Sequence, residues 1–114
     1  MPDTPVPILK GTLDVLVLKT LSWQPMHGFG IACWLEQRSG GVLGIDDSAL
    51  YQALQRLEER GVLEARWQLS ENNRRARYYR LTAAGRKQLR AQTTSWLRYA
   101  GAVTQILRAS SHAV

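Results

Sequence analysis

Two groups of side chains in this sequence are suited to chemistry, and both suit recognition better than catalysis. Ser48, Gln52 and Gln55 follow one another at steps of four and three residues, so they share a face if the segment is helical. A glutamine amide donates and accepts together, which matches the edge adenine presents in a major groove, and a serine hydroxyl contacts several bases. Arg74, Arg75, Arg77 and Arg80 crowd into a single short stretch, and guanidinium forks match phosphate. Catalytic equipment is missing. His27 and His112 are the only histidines and Cys33 the only cysteine. There is no P-loop, no GxGxxG and no His/Cys/carboxylate set at metal spacing. The reading is not an enzyme, and it needs no metal or other cofactor.

The elements that must hold these groups follow from hydrophobic period. Ile8 to Trp23 places Leu9, Leu13, Leu16, Val17 and Leu21 at helical spacings, predicting a buried first helix that stops near Gln24-Pro25. A short second helix follows His27-Gly28-Phe29-Gly30, with Ile31, Trp34 and Leu35 inward and Ser39-Gly40-Gly41 closing it. Capping suits His27 better than a phosphate contact. Asp46-Asp47-Ser48 supplies N-cap side chains for a third helix whose apolar stripe is Leu50, Ala53, Leu54 and Leu57. Gly61 suits its left-handed C′ position. The opposite face carries Ser48, Gln52, Gln55 and Glu59, flanked by Tyr51, Ala49 and Arg56. Tyr51 fits either a DNA-proximal position or half-buried packing.

After Gly61 the period falls to two: Leu63, Ala65, Trp67 and Leu69 alternate with polar residues, then Ser70 to Arg74 turn, and Arg75 to Leu81 alternates again. This predicts a β-hairpin with a basic tip. Thr82 caps a last helix running to about Leu107, on which Leu89, Thr93, Trp96, Ala100, Val103 and Leu107 step as a coiled-coil seam. Gly85 in its first turn implies close approach of another backbone. Trp23, Trp34 and Trp67 are expected in the core, Trp96 in the seam, and Cys33 in buried packing.

The chain has 114 residues, enough for one core. Its net charge of +6 is unevenly placed. Residues 1–57 hold four bases against five acids, whereas residues 58–114 hold eleven bases against four acids. A basic stripe of this kind is either a solvated face or the footprint of nucleic-acid binding. No apolar run, Val15–Leu18 included, is long enough to span a membrane, and no signal peptide is evident. The expectation is a reduced, cytoplasmic protein with no membrane partner.

The order α-α-α-β-β-α, mainly helical with a small hairpin, places the third helix at a major groove and the hairpin against phosphate. It divides into a DNA-binding region over residues 1–82, a dimerisation helix over 83–108 and a frayed tail over 109–114. Leu9-Lys10-Gly11-Thr12-Leu13-Asp14, Met26-His27-Gly28-Phe29-Gly30-Ile31 and Ala49-Leu50-Tyr51-Gln52-Ala53-Leu54-Gln55-Arg56-Leu57-Glu58 resemble the PadR family of winged-helix transcriptional regulators. Asn72-Asn73-Arg74-Arg75-Ala76-Arg77-Tyr78-Tyr79-Arg80-Leu81-Thr82 and Gly85 continue the match, which spans residues 8 to 107. The resemblance implies a homodimeric repressor of the short subgroup, with one C-terminal helix. Its partners would be double-stranded DNA with a near-palindromic operator and, in some relatives, a flat aromatic or apolar effector beside an aromatic residue on the last helix, here Trp96. The expected DNA-binding set is Ser48, Ala49, Tyr51, Gln52, Gln55, Arg56, Asn72, Asn73, Arg74, Arg75 and Arg77. One departure matters. The family often reads Gly-Ser-Leu-Tyr-Pro where this chain has Ser48-Ala49-Leu50-Tyr51-Gln52, so operator sequence does not transfer from a Pro-bearing relative. The alternative reading is a dimeric interaction or ligand-sensing module that does not bind DNA.

Overall fold

A computed structural model describes residues 5–9 and 11–110. Lys10, His112 and most of the expected tail lie outside the described residues. The elements are β1 (Val6–Pro7), α1 (Leu13–Leu21), β2 (Met26–His27), α2 (Gly28–Arg38), β3 (Leu43–Gly44), α3 (Asp47–Glu59), β4 (Leu63–Leu69), β5 (Arg75–Leu81) and α4 (Ala83–Leu107). This is the winged-helix order that the periodicity predicts, with two additions. β2 pairs antiparallel with β5 through Met26↔Tyr79 and His27↔Tyr78, making a three-stranded sheet β2-β5-β4. β1 pairs parallel with β3. Two-residue strands carry no readable alternation, so neither is visible in the sequence.

Helix α1 is shorter than expected. Gly11 takes φ +89°, outside helical geometry, so the helix starts only after Thr12, and Leu9 is left exposed in the turn that Thr12 N closes on its carbonyl. At the other end Ser22 and Trp23 close a turn by donating to Lys19 and Thr20 carbonyls, ahead of Pro25. The predicted caps form as expected. His27 Nδ1 accepts from Gly30 N at 3.0 Å, Asp46 Oδ2 from Ala49 N at 2.9 Å, and Thr82 Oγ1 from Gly85 N at 3.0 Å. Gly61 stands at φ +76° after α3.

The core is aliphatic. Val17, Leu18, Ile31, Leu50, Leu54, Leu57 and Leu63 are buried, with Tyr79 and Leu81 closing it from β5. Gly85 is buried beside it, and a Cβ there would collide with the Val62 carbonyl, which is the close approach anticipated for this glycine.

Three expectations about packing need correction. Trp23 and Trp67 are exposed, and Trp34 only half-buried at the core edge. Trp23 falls beyond the last turn of α1, where its ring meets Trp34 at 6.4 Å and Arg38 at 5.6 Å. Trp67 lies on β4 beyond Ala65, where the strand has already left the core. Cys33 is exposed, because it lies on the solvent side of α2 between the inward residues Ile31 and Leu35.

Candidate nucleic-acid interface

Helix α3 is held in the molecule by one face and offers the other to solvent. Leu50, Ala53, Leu54 and Leu57 are buried, while Ser48, Tyr51, Gln52 and Gln55 are exposed. Ala49 is half-buried and its N–H already serves the Asp46 cap. The face that remains is mostly uncharged, carrying Ser48, Gln52 and Gln55 with Glu59 at its C-terminal end, and is rich in hydrogen-bonding groups. Its flanks are tied down by ion pairs. Arg56 reaches Asp14 of α1 at 2.5 Å, and Arg77 of β5 reaches Glu58 of α3 at 2.5 Å. Those two arginines, expected to face DNA, are each engaged by a carboxylate of a neighbouring element while remaining partly exposed.

The wing is built by register. Leu63↔Leu81, Ala65↔Tyr79, Trp67↔Arg77 and Leu69↔Arg75 lie opposite one another, so these residues share one face of the β4–β5 ladder. Its lower part is buried and its upper part is not. The turn is set by Asn73 at φ 62°, with Asn73 N donating to the Ser70 carbonyl and Ser70 N to the Arg74 carbonyl. Asn72, Asn73, Arg74 and Arg75 are exposed. Neither Arg74 nor Arg75 has an ion pair among the described residues, whereas Arg80, on the other face, is held by Glu64.

Between α3, the start of α2 and the wing runs an open cleft of about 520 Å³. His27, Gly28, Phe29, Tyr51, Trp67 and Arg75 are among the residues lining it. Tyr51 is half-exposed and its ring rests directly on Gly28, where a Cβ would come within 2.5 Å of the phenol oxygen. Tyr51 therefore packs on α2 and also faces the cleft. The His27 cap leaves its Nε2 side free of the helix, and its ring meets Tyr78 edge-on at 5.1 Å. Below, burial pushes the Tyr79 phenol above its ordinary pKa, with Arg77 opposing and Glu58 adding to that shift.

Sequence reasoning missed two members of this cleft, Phe29 and Trp67. Phe29 is 72% exposed. An aromatic residue just before the apolar stripe of α2 is the only signal that pointed to it. Trp67 fits a period-two strand so well that its alternation reads as burial.

Helix α4 divides into two halves. Leu89, expected in the seam, is partly buried and packs against the chain's own core. Trp96 Nε1 donates to Thr12 Oγ1 at 3.3 Å, laying this part of α4 along α1. Beyond it Leu97, Tyr99, Ile106 and Leu107 are all more than 60% exposed, and Val103 is partly so. Alongside Trp96, an apolar groove of about 470 Å³ is lined by Val6, Leu9, Val15, Leu16, Trp96 and Leu97, among others. No helix among the described residues is long and apolar enough to cross a membrane.

Similarity to known proteins agrees with this geometry. The description "Transcriptional regulator PadR-like family" matches residues 17–91, from α1 into α4. A transcriptional regulator from Clostridium thermocellum superposes with a TM-score of 0.78 over 87% of this chain and 93% of that one, at 23% identity. A PadR-like transcriptional regulator from Bacillus cereus gives 0.76 over 90% and 97%, at 22% identity. A PadR family transcriptional regulator from Eggerthella lenta gives 0.73 over 89% and 86%, at 29% identity. With the family matched across most of the chain, this protein belongs to the PadR-like family of transcriptional regulators, DNA-binding proteins rather than enzymes.

Proposed function

We propose that the protein is a homodimeric repressor of the cytoplasm that binds a near-palindromic operator and is released by a small aromatic or apolar ligand. The observation that carries this reading is the pairing of two chemistries on neighbouring elements, α3 and the wing, whose shared cleft is lined by Tyr51 on one side and by Arg74 and Arg75 on the other. The exposed outer face of α3 reads base edges through Ser48, Gln52 and Gln55, and Arg74 and Arg75 of the wing grip phosphate. Tyr51, Asn72 and Asn73 border the same surface. Arg77 ties the wing to α3 through Glu58, and Arg56 ties α3 to α1 through Asp14.

A single recognition helix covers too few base pairs for an operator, and α4 supports a second copy. Its outer half exposes five large apolar side chains that its own fold leaves uncovered. Pairing Thr93, Trp96, Ala100, Val103 and Leu107 with their counterparts buries Trp96, Val103 and Leu107, with Leu97, Tyr99 and Ile106 flanking the seam. Two α3 helices then meet successive major grooves about 34 Å apart. The apolar groove beside Trp96 has the size and lining of a small-molecule site. Its place next to the dimer helix gives an effector a route to the spacing of the two reading helices.

The test is selection of bound duplexes from a random pool, followed by sedimentation of the complex. The expected result is a two-fold symmetric site with half-sites one turn apart and two chains per duplex. Val103→Glu with Leu107→Glu should yield monomers whose operator affinity falls at least about a hundredfold, because each half then binds alone. An asymmetric site, or a dimer that survives those changes, contradicts the reading.

A further inference from the structure

The wing leaves the core carrying an aromatic ring that the packing does not use. Trp67 is 54% exposed, yet it lies on the ladder face that Leu63 and Ala65 occupy below. Its direct cross-strand partner, Arg77, is engaged by Glu58. Its diagonal neighbour is Arg75, whose guanidinium carbon stands 5.1 Å from the centre of the Trp67 ring. That distance is within cation–π range. Both residues line the cleft between α3 and the wing.

A helix seated in a major groove has the sugar–phosphate strand bordering that groove beside it, so a wing next to the helix faces that strand. A free arginine at such a position samples many rotamers, and binding must freeze them. We propose that Trp67 is a positioning residue for DNA binding: its ring holds the Arg75 guanidinium over the cleft, aimed at the phosphate strand, before DNA arrives. The inference rests on the DNA-binding reading above and adds the residue that sets the wing's grip. Trp67 acts through Arg75 and makes no base contact.

The test uses the full chain and a random-sequence duplex, so that phosphate contact is measured without an operator. Trp67→Leu keeps apolar bulk and removes the π face; it should weaken binding about threefold to fivefold, with the melting temperature unchanged. Trp67→Phe should restore most of the affinity. In an Arg75→Gln background, Trp67→Leu should cost nothing further, because the two residues act as one unit. In the free chain, the Arg75 Nε proton should show a ring-current shift that Trp67→Leu abolishes. Trp67→Leu binding like the wild type overturns the inference alone. So does an equal loss in the Arg75→Gln background, or an unshifted Arg75 proton. A wild-type chain that binds no duplex overturns the DNA-binding reading and this inference with it.

Discussion

Helix α3 and the β4–β5 wing face one cleft with opposite chemistry and opposite support. The outer face of α3 is uncharged over Ser48, Gln52 and Gln55, and its inner face is bolted to the core by four buried residues. The wing is cationic, and above Ala65 and Tyr79 its ladder has no core beneath it. The difference matches what each must do. Hydrogen bonds to base edges are lost when a donor moves by a fraction of an ångström or tilts, so a reading element needs a rigid mount. Attraction to phosphate falls slowly with distance and tolerates motion, so a gripping element can project. Sequence information and affinity are thus assigned to separate elements, joined by the Arg77–Glu58 strut.

The largest expected effect removes both regions together. Gly85→Ala drives a methyl group into the Val62 carbonyl at the joint between α4 and the foot of the wing, and backbone cannot yield there cheaply. Stability should fall by about 3 kcal/mol in urea unfolding, with DNA binding lost at temperatures where the wild type remains folded. A smaller change should separate the regions. Gly28→Ala pushes on the tip of Tyr51, a flexible side chain that can swing toward the cleft. Discrimination between operator and random DNA should drop by roughly tenfold, about 1.4 kcal/mol, with the salt dependence intact, as competition binding would report. The smallest effect is on pH. Because burial raises the Tyr79 pKa above 10.0, the unfolded chain ionises first as pH increases. This contribution to stability is complete below pH 10 and declines as pH climbs from there through the folded-state value. Tyr79→Phe should flatten the alkaline limb of a melting-temperature profile.

Much of α3 and the wing was legible before the structure. Asp46, Gly61 and Thr82 mark element ends because their side chains or backbone freedom satisfy local geometry, which neighbouring residues alone decide. The stripe of Leu50, Ala53, Leu54 and Leu57 fixes the inner face of α3 by spacing, and hence the outer one. What escaped depends on distant partners. Nothing near Arg56 or Arg77 in sequence reveals Asp14 or Glu58, which lie 42 and 19 residues away, so their ion pairs could not be read from the sequence. β2 owes its existence to β5. Trp67 and Leu69 keep a strand's alternation after the core has ended, and alternation alone cannot say where a core stops. Leu89 has seam spacing but an inward neighbour.

The central claim, that α3 reads while the wing grips, is tested most directly by one binding matrix. Affinities of wild type, Gln52→Ala/Gln55→Ala and Arg74→Gln/Arg75→Gln are measured on operator and random duplexes across a salt series. The glutamine pair should lower the operator-to-random ratio by roughly 10- to 100-fold and leave the slope of log K against log salt unchanged. The arginine pair should reduce the steepness of that slope by about two and leave the ratio nearly intact. If both variants move the ratio and the slope in the same proportion, or if the wild type shows no salt dependence, the division of labour is contradicted.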